Sequence, residues 1–295
     1  MSPQSFLIGA TCVHLVSDGL FWTDGGGAFG LVPRVLWEKT ITPDPANRIP
    51  MQLRCLVIES SQGLILVDTG YGDKLPIKQQ QLLSLAGKGR LVADLNALGF
   101  RPEDIDLVVD THLHADHCGG NTRYDEGGEV VPVFPRATYL IQRRELADAC
   151  APNERTRGTY FAENYVPLGA ACSGEASGRV RLLDGDTEIA PGVRTLATPG
   201  HTPAHQSIVI ENGGQSGIFL ADACAWAVSL ERLSWVPAYD VEPMVSIETK
   251  RSLRDWALRQ DALLFFQHDF GVAAGRVKQD DEKWLVVPEE GIKIK

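Results

Sequence analysis

The segment Thr111-His112-Leu113-His114-Ala115-Asp116-His117 places three imidazoles and one carboxylate within seven residues. Imidazole nitrogens and carboxylate oxygens are the donors that hold first-row divalent cations, so this density points to metal chemistry. Alternate residues of an extended segment face the same side, which lets His112 and His114 reach one ion. Where the chain then turns, Asp116 and His117 can address a second. Three further candidates follow: His201 in Thr198-Pro199-Gly200-His201, Asp222 in Phe219-Leu220-Ala221-Asp222, and His268 in Phe265-Phe266-Gln267-His268. Each sits just past an apolar run, at the strand ends where scaffolds tend to place functional groups. Five of the seven histidines in the protein belong to this set, so chance placement is a poor account of it.

The elements that must position these residues alternate between strand and helix. Two β-branched, apolar runs at 52–60 and 63–68 flank Ser61-Gln62-Gly63 and predict a hairpin that exits at Asp68-Thr69-Gly70. Apolar residues at helical spacing predict a helix over 79–98 stopped by Gly99, then a short buried strand at 105–109 that leads into His112. Strands are expected at 138–142, 193–198, 206–211 and 217–221, followed by a helix at 247–260 and a strand at 262–267 that ends at His268. This alternation favours an α/β (α+β) architecture of sheets covered by helices.

Composition narrows the function classes. With 295 residues and 44% apolar content the chain can bury a large core, and a single compact domain over residues 1–295 is the simplest expectation. The net charge of −10, without a basic stripe, argues against nucleic acid and anionic membrane as partners and disfavours a ribonuclease. No apolar run approaches the roughly 20 residues of a spanning helix, and the N-terminus lacks the basic start of a cleaved leader. Six scattered cysteines without a CxxC pair read as free thiols in a reduced, cytoplasmic setting.

The succession HxHxDH, Gly-His, Asp, His resembles the metallo-β-lactamase-fold superfamily along essentially the whole chain. That resemblance implies a four-layer αββα sandwich with its site at one edge. It implies two metal ions, one on His112, His114 and His201 and the other on Asp116, His117 and His268, with Asp222 bridging. Asp68, in a Val-Asp-Thr-Gly context, is implied to orient a ligand imidazole. The long insert between His117 and His201 and the Gly25-Gly26-Gly27-Ala28-Phe29-Gly30-Leu31-Val32-Pro33 segment are similar to the branch containing acyl-homoserine lactonases and methyl parathion hydrolase-like phosphotriesterases. In that branch an N-terminal loop, here about 18–50, lies near the site entrance and at a dimer contact, so a homodimer is the implied assembly. Acyl-homoserine lactonases carry a tyrosine shortly after the bridging Asp, whereas here Asp222 precedes Ala223-Cys224-Ala225-Trp226.

Two cations sharing Asp222 would lower the pKa of a water between them, supplying a hydroxide nucleophile at neutral pH, while Asp116 passes a proton to the leaving group. Asp116 and Asp222 are therefore the expected catalytic carboxylates. Zinc suits the thiolate-free ligand set best, with iron, manganese or cobalt also accommodated. The expected substrate is a small apolar lactone or ester. A phosphotriesterase is the alternative, and an iron-dependent oxidoreductase or a non-catalytic metal module follows behind. Trp22, Phe29, Trp226 and Trp235 are expected to line an apolar pocket, with the glycine run as a hinge above it. His205 and His14 are expected to be structural, and Cys118 and Cys224 to be core fillers despite their nearness to ligands.

Overall fold

The computed structural model describes residues 2–87 and 89–292. In chain order, the first sheet receives β1 (Gln4–Ile8), β2 (Thr11–Asp24), β3 (Arg48–Ser60), β4 (Gly63–Val67) and β5 (Ile105–Val109). A small hairpin, β6 (Thr122–Tyr124) and β7 (Val130–Pro132), precedes β8 (Thr138–Gln142) and β9 (Val180–Leu183). The second sheet holds β10 (Glu188–Ala190), β11 (Val193–Ala197), β12 (Gln206–Asn212), β13 (Gln215–Phe219), β14 (Leu263–Phe265), β15 (Ala274–Asp280) and β16 (Lys283–Pro288). Helices α1 (Gly25–Phe29), α2 (Arg34–Trp37), α3 (Ile77–Leu82), α4 (Arg90–Ala97), α5 (Ala115–Cys118), α6 (Arg143–Cys150), α7 (Ala227–Glu231) and α8 (Pro243–Gln260) punctuate them.

The sheet orders are β1-β2-β3-β4-β5-β8-β9 and β10-β11-β12-β13-β14-β15-β16. Pairing is parallel for β4–β5, β5–β8, β8–β9 and β13–β14 and antiparallel for the other neighbours in the two sheets. Strand alternation explains why the central strands read as unbroken apolar runs. On β3, Leu56 and Ile58 point into the core between the sheets, where they meet Ile208, Phe219 and Phe265 from the other sheet. Their neighbours Cys55 and Val57 point outward to Leu91 and Leu95 of α4 and Leu146 of α6. The second sheet does the same, with Val209 and Ile218 facing Leu230 of α7 and Leu253 and Ala257 of α8. Both faces of each sheet are thus covered, and the layers stack helix, sheet, sheet, helix.

Several boundaries differ from the sequence reading, each for a tertiary reason. The expected helix at 79–98 is two helices, α3 and α4, because residues 83–86 pair with an irregular stretch of β2: Leu20 N–H donates to Ala86 O and Ala86 N–H to Leu20 O. Gly87 and Gly89 then take positive φ, which ends helical continuity. The segment 18–50, expected as a loop, is the extended end of β2 followed by α1 and α2. Its glycines do not form a hinge. Gly25–Phe29 is a helical turn capped by Asp24, whose Oδ1 accepts from Gly27 N–H at 2.9 Å. A Cβ on Gly25 would meet the Trp37 ring at 2.4 Å and one on Gly27 would meet the Tyr239 hydroxyl at 2.5 Å, so close packing explains the run better than pliability. Cys150 and Cys172 form a disulfide, which corrects the expectation of six free thiols and removes its support for a reduced compartment. Among the described residues, no helix is long and apolar enough to cross a membrane.

Candidate metal centre

The histidine-rich segment leaves the end of β5 and is pinned on three sides. Asp68, just past β4 and fully buried at φ +58°, accepts from Thr111 N–H and Thr111 Oγ1–H, both at 2.8 Å. The parallel β4–β5 pairing is what brings the two strand ends together. Glu145 on α6 accepts from Leu113 N–H at 3.0 Å, Tyr160 Oη–H at 3.1 Å and Thr202 Oγ1–H at 2.7 Å. That single buried carboxylate ties the His112–His114 stretch to the loop carrying His201. His117 then enters on α5, where its carbonyl accepts from Thr69 N–H at 2.6 Å.

The remaining groups arrive from the second sheet. His201 follows β11 through Gly200 at φ +139°, where a Cβ would meet Ser246 of α8 at 2.4 Å. Asp222 sits in a 3-10 turn directly after β13, and its N–H donates to His205 Nε2 at 3.2 Å. His205 Nδ1–H in turn donates to Thr198 Oγ1 at 2.8 Å. Burial and the nearby His201 push His205 down to about 3, so it serves as a neutral bridge between two loops. His268 follows β14, and its Nδ1–H donates to Gln52 O at 2.7 Å.

All seven candidate side chains converge. Their ligand atoms fall into three overlapping groups, His112/His114/His201, His112/His117/Asp222 and Asp116/His117/His268, each with its atoms within 4.8 Å of one another. Three imidazoles have their outer nitrogen tied to an acceptor, which fixes the tautomer and turns the other nitrogen inward. His117 Nδ1 is bonded to Asp68 Oδ2 at 2.9 Å, His201 Nδ1 to Asp240 Oδ1 at 2.9 Å, and His268 Nδ1 to the Gln52 carbonyl. Their Nε2 atoms all face Asp222, at 3.4, 3.1 and 3.1 Å respectively. His112 Nε2 and His114 Nε2 are buried without any hydrogen-bond partner, a costly state in a core and a common one for atoms around a cation. The donor set and these orphaned nitrogens fit divalent metal ions.

Electrostatics agree with this division of labour. Burial, reinforced by neighbouring imidazoles, holds His112 and His114 well below the ordinary histidine range, leaving them neutral donors. For His117 burial opposes charge, but Asp116, Asp222 and Asp68 outweigh it and raise the imidazole well above its usual value. Burial likewise opposes ionisation of Asp222, and His268, His201 and His117 overcome it, holding the carboxyl well below the usual range.

Through His114, Asp116, His201 and Asp222 the cluster opens onto the floor of a cavity of about 330 Å³. Its walls are Phe21, Met51, Leu83 and Val241 on the apolar side, and Thr23, Tyr71, Tyr239, Arg155, Thr156 and Thr159 on the polar side. None of the four aromatic residues expected there lines it. Phe29, Trp226 and Trp235 are buried with Trp37 in an aromatic core beneath α1, with Phe29 stacked on Trp37 at a centroid distance of 5.3 Å. Trp22 lies between Phe21 and Thr23 on β2, so strand alternation sends it to the opposite face. Cys118 and Cys224 turn away from the floor, their thiols donating to Leu113 O and Trp226 O.

The metallo-beta-lactamase superfamily pattern matches residues 48–268, from the first residue of β3 to the last histidine of the cluster. The chain belongs to the metallo-beta-lactamase superfamily. An N-acyl homoserine lactonase of Bacillus cereus is 28% identical over 242 residues, covering 79% of this chain and 86% of that enzyme. A Staphylococcus aureus protein described as a probable metal-dependent hydrolase superposes with a TM-score of 0.85 at 28% identity, covering 98% of this chain and 100% of that one. AidC, a dizinc quorum-quenching lactonase, shares the fold with a TM-score of 0.78 at 21% identity, over 99% of both chains. This member of the superfamily is a metal-dependent hydrolase related to quorum-quenching lactonases.

Sequence reasoning missed Glu145, Asp240, Tyr71, Tyr239 and Arg155. Asp240 and Gln52 act only through space, and no spacing rule links Asp240 to His201 or residue 52 to residue 268. Tyr71, one residue past Asp68-Thr69-Gly70, carried the one local signal, an aromatic placed immediately after a motif loop.

Proposed function

We propose that the protein hydrolyses lactones or esters of small apolar substrates with two divalent ions, most simply zinc. His112, His114 and His201 would hold one ion, Asp116, His117 and His268 the other, and Asp222 would be shared. The observation that carries this reading is the clustering of the seven side chains in three overlapping groups, with His117, His201 and His268 locked from behind and turned to Asp222, beside a cavity walled on one side by apolar residues. When bound, the ions supply Lewis acidity and make hydroxide available at neutral pH.

The residues of the chain do the rest. Phe21, Met51, Leu83 and Val241 receive the apolar part of the substrate and exclude water from it. Tyr239 Oη is 3.0 Å from Thr23 Oγ1, and burial pushes its phenol up to about 12, so it remains a hydrogen-bond donor for the substrate carbonyl. It takes the place of the phenol missing after Asp222, arriving from a different loop. Asp116 is the more open of the two floor carboxylates, its side chain 20% exposed against 12% for Asp222, which supports assigning it the transfer of the proton released by the attacking water to the departing alkoxide.

The test is a panel of lactones, aryl esters and phosphotriesters assayed on protein of known metal content. Chelation should abolish turnover and zinc should restore it, with lactones or esters giving the highest kcat/KM. A phosphotriester outranking all of them would hand the site to the phosphotriesterase reading. Full activity with no metal bound would remove the mechanism.

A further inference from the structure

A second group of metal-ligating side chains lies at the far end of the first sheet. Cys12, His14 and Glu59 bring Sγ, Nε2 and a carboxylate oxygen within 4.8 Å of one another. Cys12 and His14 are alternate residues of β2 and share a face. The antiparallel register of Val13 with Ile58 places Glu59 one step further along, across from Cys12. Glu59 is seven residues along β3 from Gln52, the residue that supports His268, so about 23 Å of strand separates this group from the catalytic cluster.

We propose that Cys12, His14 and Glu59 form an additional site for a zinc-like divalent cation, separate from the hydrolytic centre. The spacing suits such an ion. With Zn–S near 2.3 Å and Zn–N near 2.0 Å, a tetrahedral angle sets sulfur and nitrogen about 3.5 Å apart, and Cys12 Sγ lies 3.6 Å from His14 Nε2. Nitrogen and carboxylate oxygen on the same ion stand about 3.3 Å apart. His14 Nε2 and Glu59 Oε1 are at 2.8 Å, and the Glu59 side chain, 46% exposed, is free to withdraw that last half ångström or so.

His14 is prepared for the task from behind. Its ring is buried, Ser5 Oγ lies 2.8 Å from Nδ1, and the Phe100 ring meets it edge-on at 5.7 Å. In the structure Nε2–H faces the Glu59 carboxylate at 2.8 Å; a cation taking that place would leave the ring hydrogen on Nδ1, donated to Ser5 Oγ, and turn the Nε2 lone pair to the ion, the arrangement that ligand histidines adopt. A thiolate among the donors selects zinc-like ions over magnesium or calcium. Binding releases the Cys12 thiol proton to solvent, and three protein ligands leave the outward position to water.

The cysteine makes the site separable by experiment, because the hydrolytic centre has no thiolate donor and the other free cysteines among the described residues, Cys55, Cys118 and Cys224, are buried. Protein carrying only the two zinc equivalents that fill the hydrolytic centre, with free zinc removed so that the Cys12 group stays open, is titrated with Co²⁺ and followed in the near ultraviolet. A thiolate-to-cobalt charge-transfer band should saturate at one equivalent, vanish in Cys12→Ser and require about tenfold more cobalt in Glu59→Gln. Zinc should also protect Cys12 from iodoacetamide in the folded protein, read by mass spectrometry. No band in the wild type, a band that survives Cys12→Ser, or a Glu59→Gln titration identical to wild type would overturn the site and leave a His14–Glu59 ion pair with a neighbouring thiol. Hydrolysis by Cys12→Ser should match wild type, so failure here and failure of the proposed reaction read out separately.

Discussion

Asp68→Asn probes how the fold, as distinct from the ligands, builds the metal centre. Asp68 touches none of the inward-facing ligand atoms. Its carboxylate accepts three hydrogen bonds, from Thr111 N–H, Thr111 Oγ1–H and His117 Nδ1–H, at 2.8, 2.8 and 2.9 Å. Asparagine has nearly the same volume and tolerates the positive φ of +58° found here, so the backbone is not what changes. An amide oxygen can still accept from Thr111 N–H, but an NH₂ group now stands where Oδ2 faced His117. Two donors cannot share a proton-free contact. His117 must therefore move its proton to Nε2, the nitrogen that faces Asp222 at 3.4 Å, and so lose the lone pair that a metal ion needs. Losing such a supporting partner costs about 10- to 100-fold in metal affinity or activity, or about 1.4 to 2.8 kcal/mol. Competition with a chromogenic chelator gives the affinity, and kcat/KM at saturating zinc gives the catalytic share. One of the two ions should bind more weakly while excess zinc recovers part of the rate. A folded variant with two ions at wild-type affinity and wild-type kcat/KM would refute this account of Asp68.

Asp222→Asn and His117→Ala should each lower turnover by orders of magnitude while circular dichroism stays unchanged, and wild-type rates at matched metal content would show that the ligands are misassigned. Tyr239→Phe should lower kcat/KM by about 10²-fold if its phenol stabilises the reacting carbonyl, whereas an unchanged value would confine the hydroxyl to its bond with Thr23. Phe29→Ala should cost about 3 to 5 kcal/mol of stability as a buried aromatic truncation and leave KM alike for large and small substrates; a selective rise for apolar substrates would return the ring to the pocket wall. Reducing Cys150–Cys172 should cost about 3 kcal/mol by the loop-closure estimate and raise KM, since Arg155, Thr156 and Thr159 all lie in the loop it closes. An unchanged melting temperature with a strong reductant would remove that role.

The sequence by itself singled out the seven candidate residues that the fold brings into one cluster. Candidate metal ligands must supply particular donor atoms, and each of the four short stretches that carry them follows a strand, β5, β11, β13 or β14, whose alternation is a local property. The hairpin formed by β3 and β4 and the strands β5 and β8 were legible for the same reason: a strand buried on both faces has to be apolar throughout. What the sequence could not carry was anything set by contact between distant segments. The break between α3 and α4 depends on residues 83–86 pairing with β2. The aromatic residues 29, 226 and 235 were chemically suited to a pocket, and only packing shows that they fill a core while Phe21, a strand neighbour of Trp22, faces the site. The supports of the imidazoles divide the same way. Asp68 was visible because it ends a strand in a recognisable turn, but Asp240, Glu145 and the Gln52 carbonyl reach their partners across 39, 32 and 216 residues of chain. Donor identity is written residue by residue, whereas the tautomer and aim of each donor are fixed by whichever acceptor the tertiary fold brings behind it.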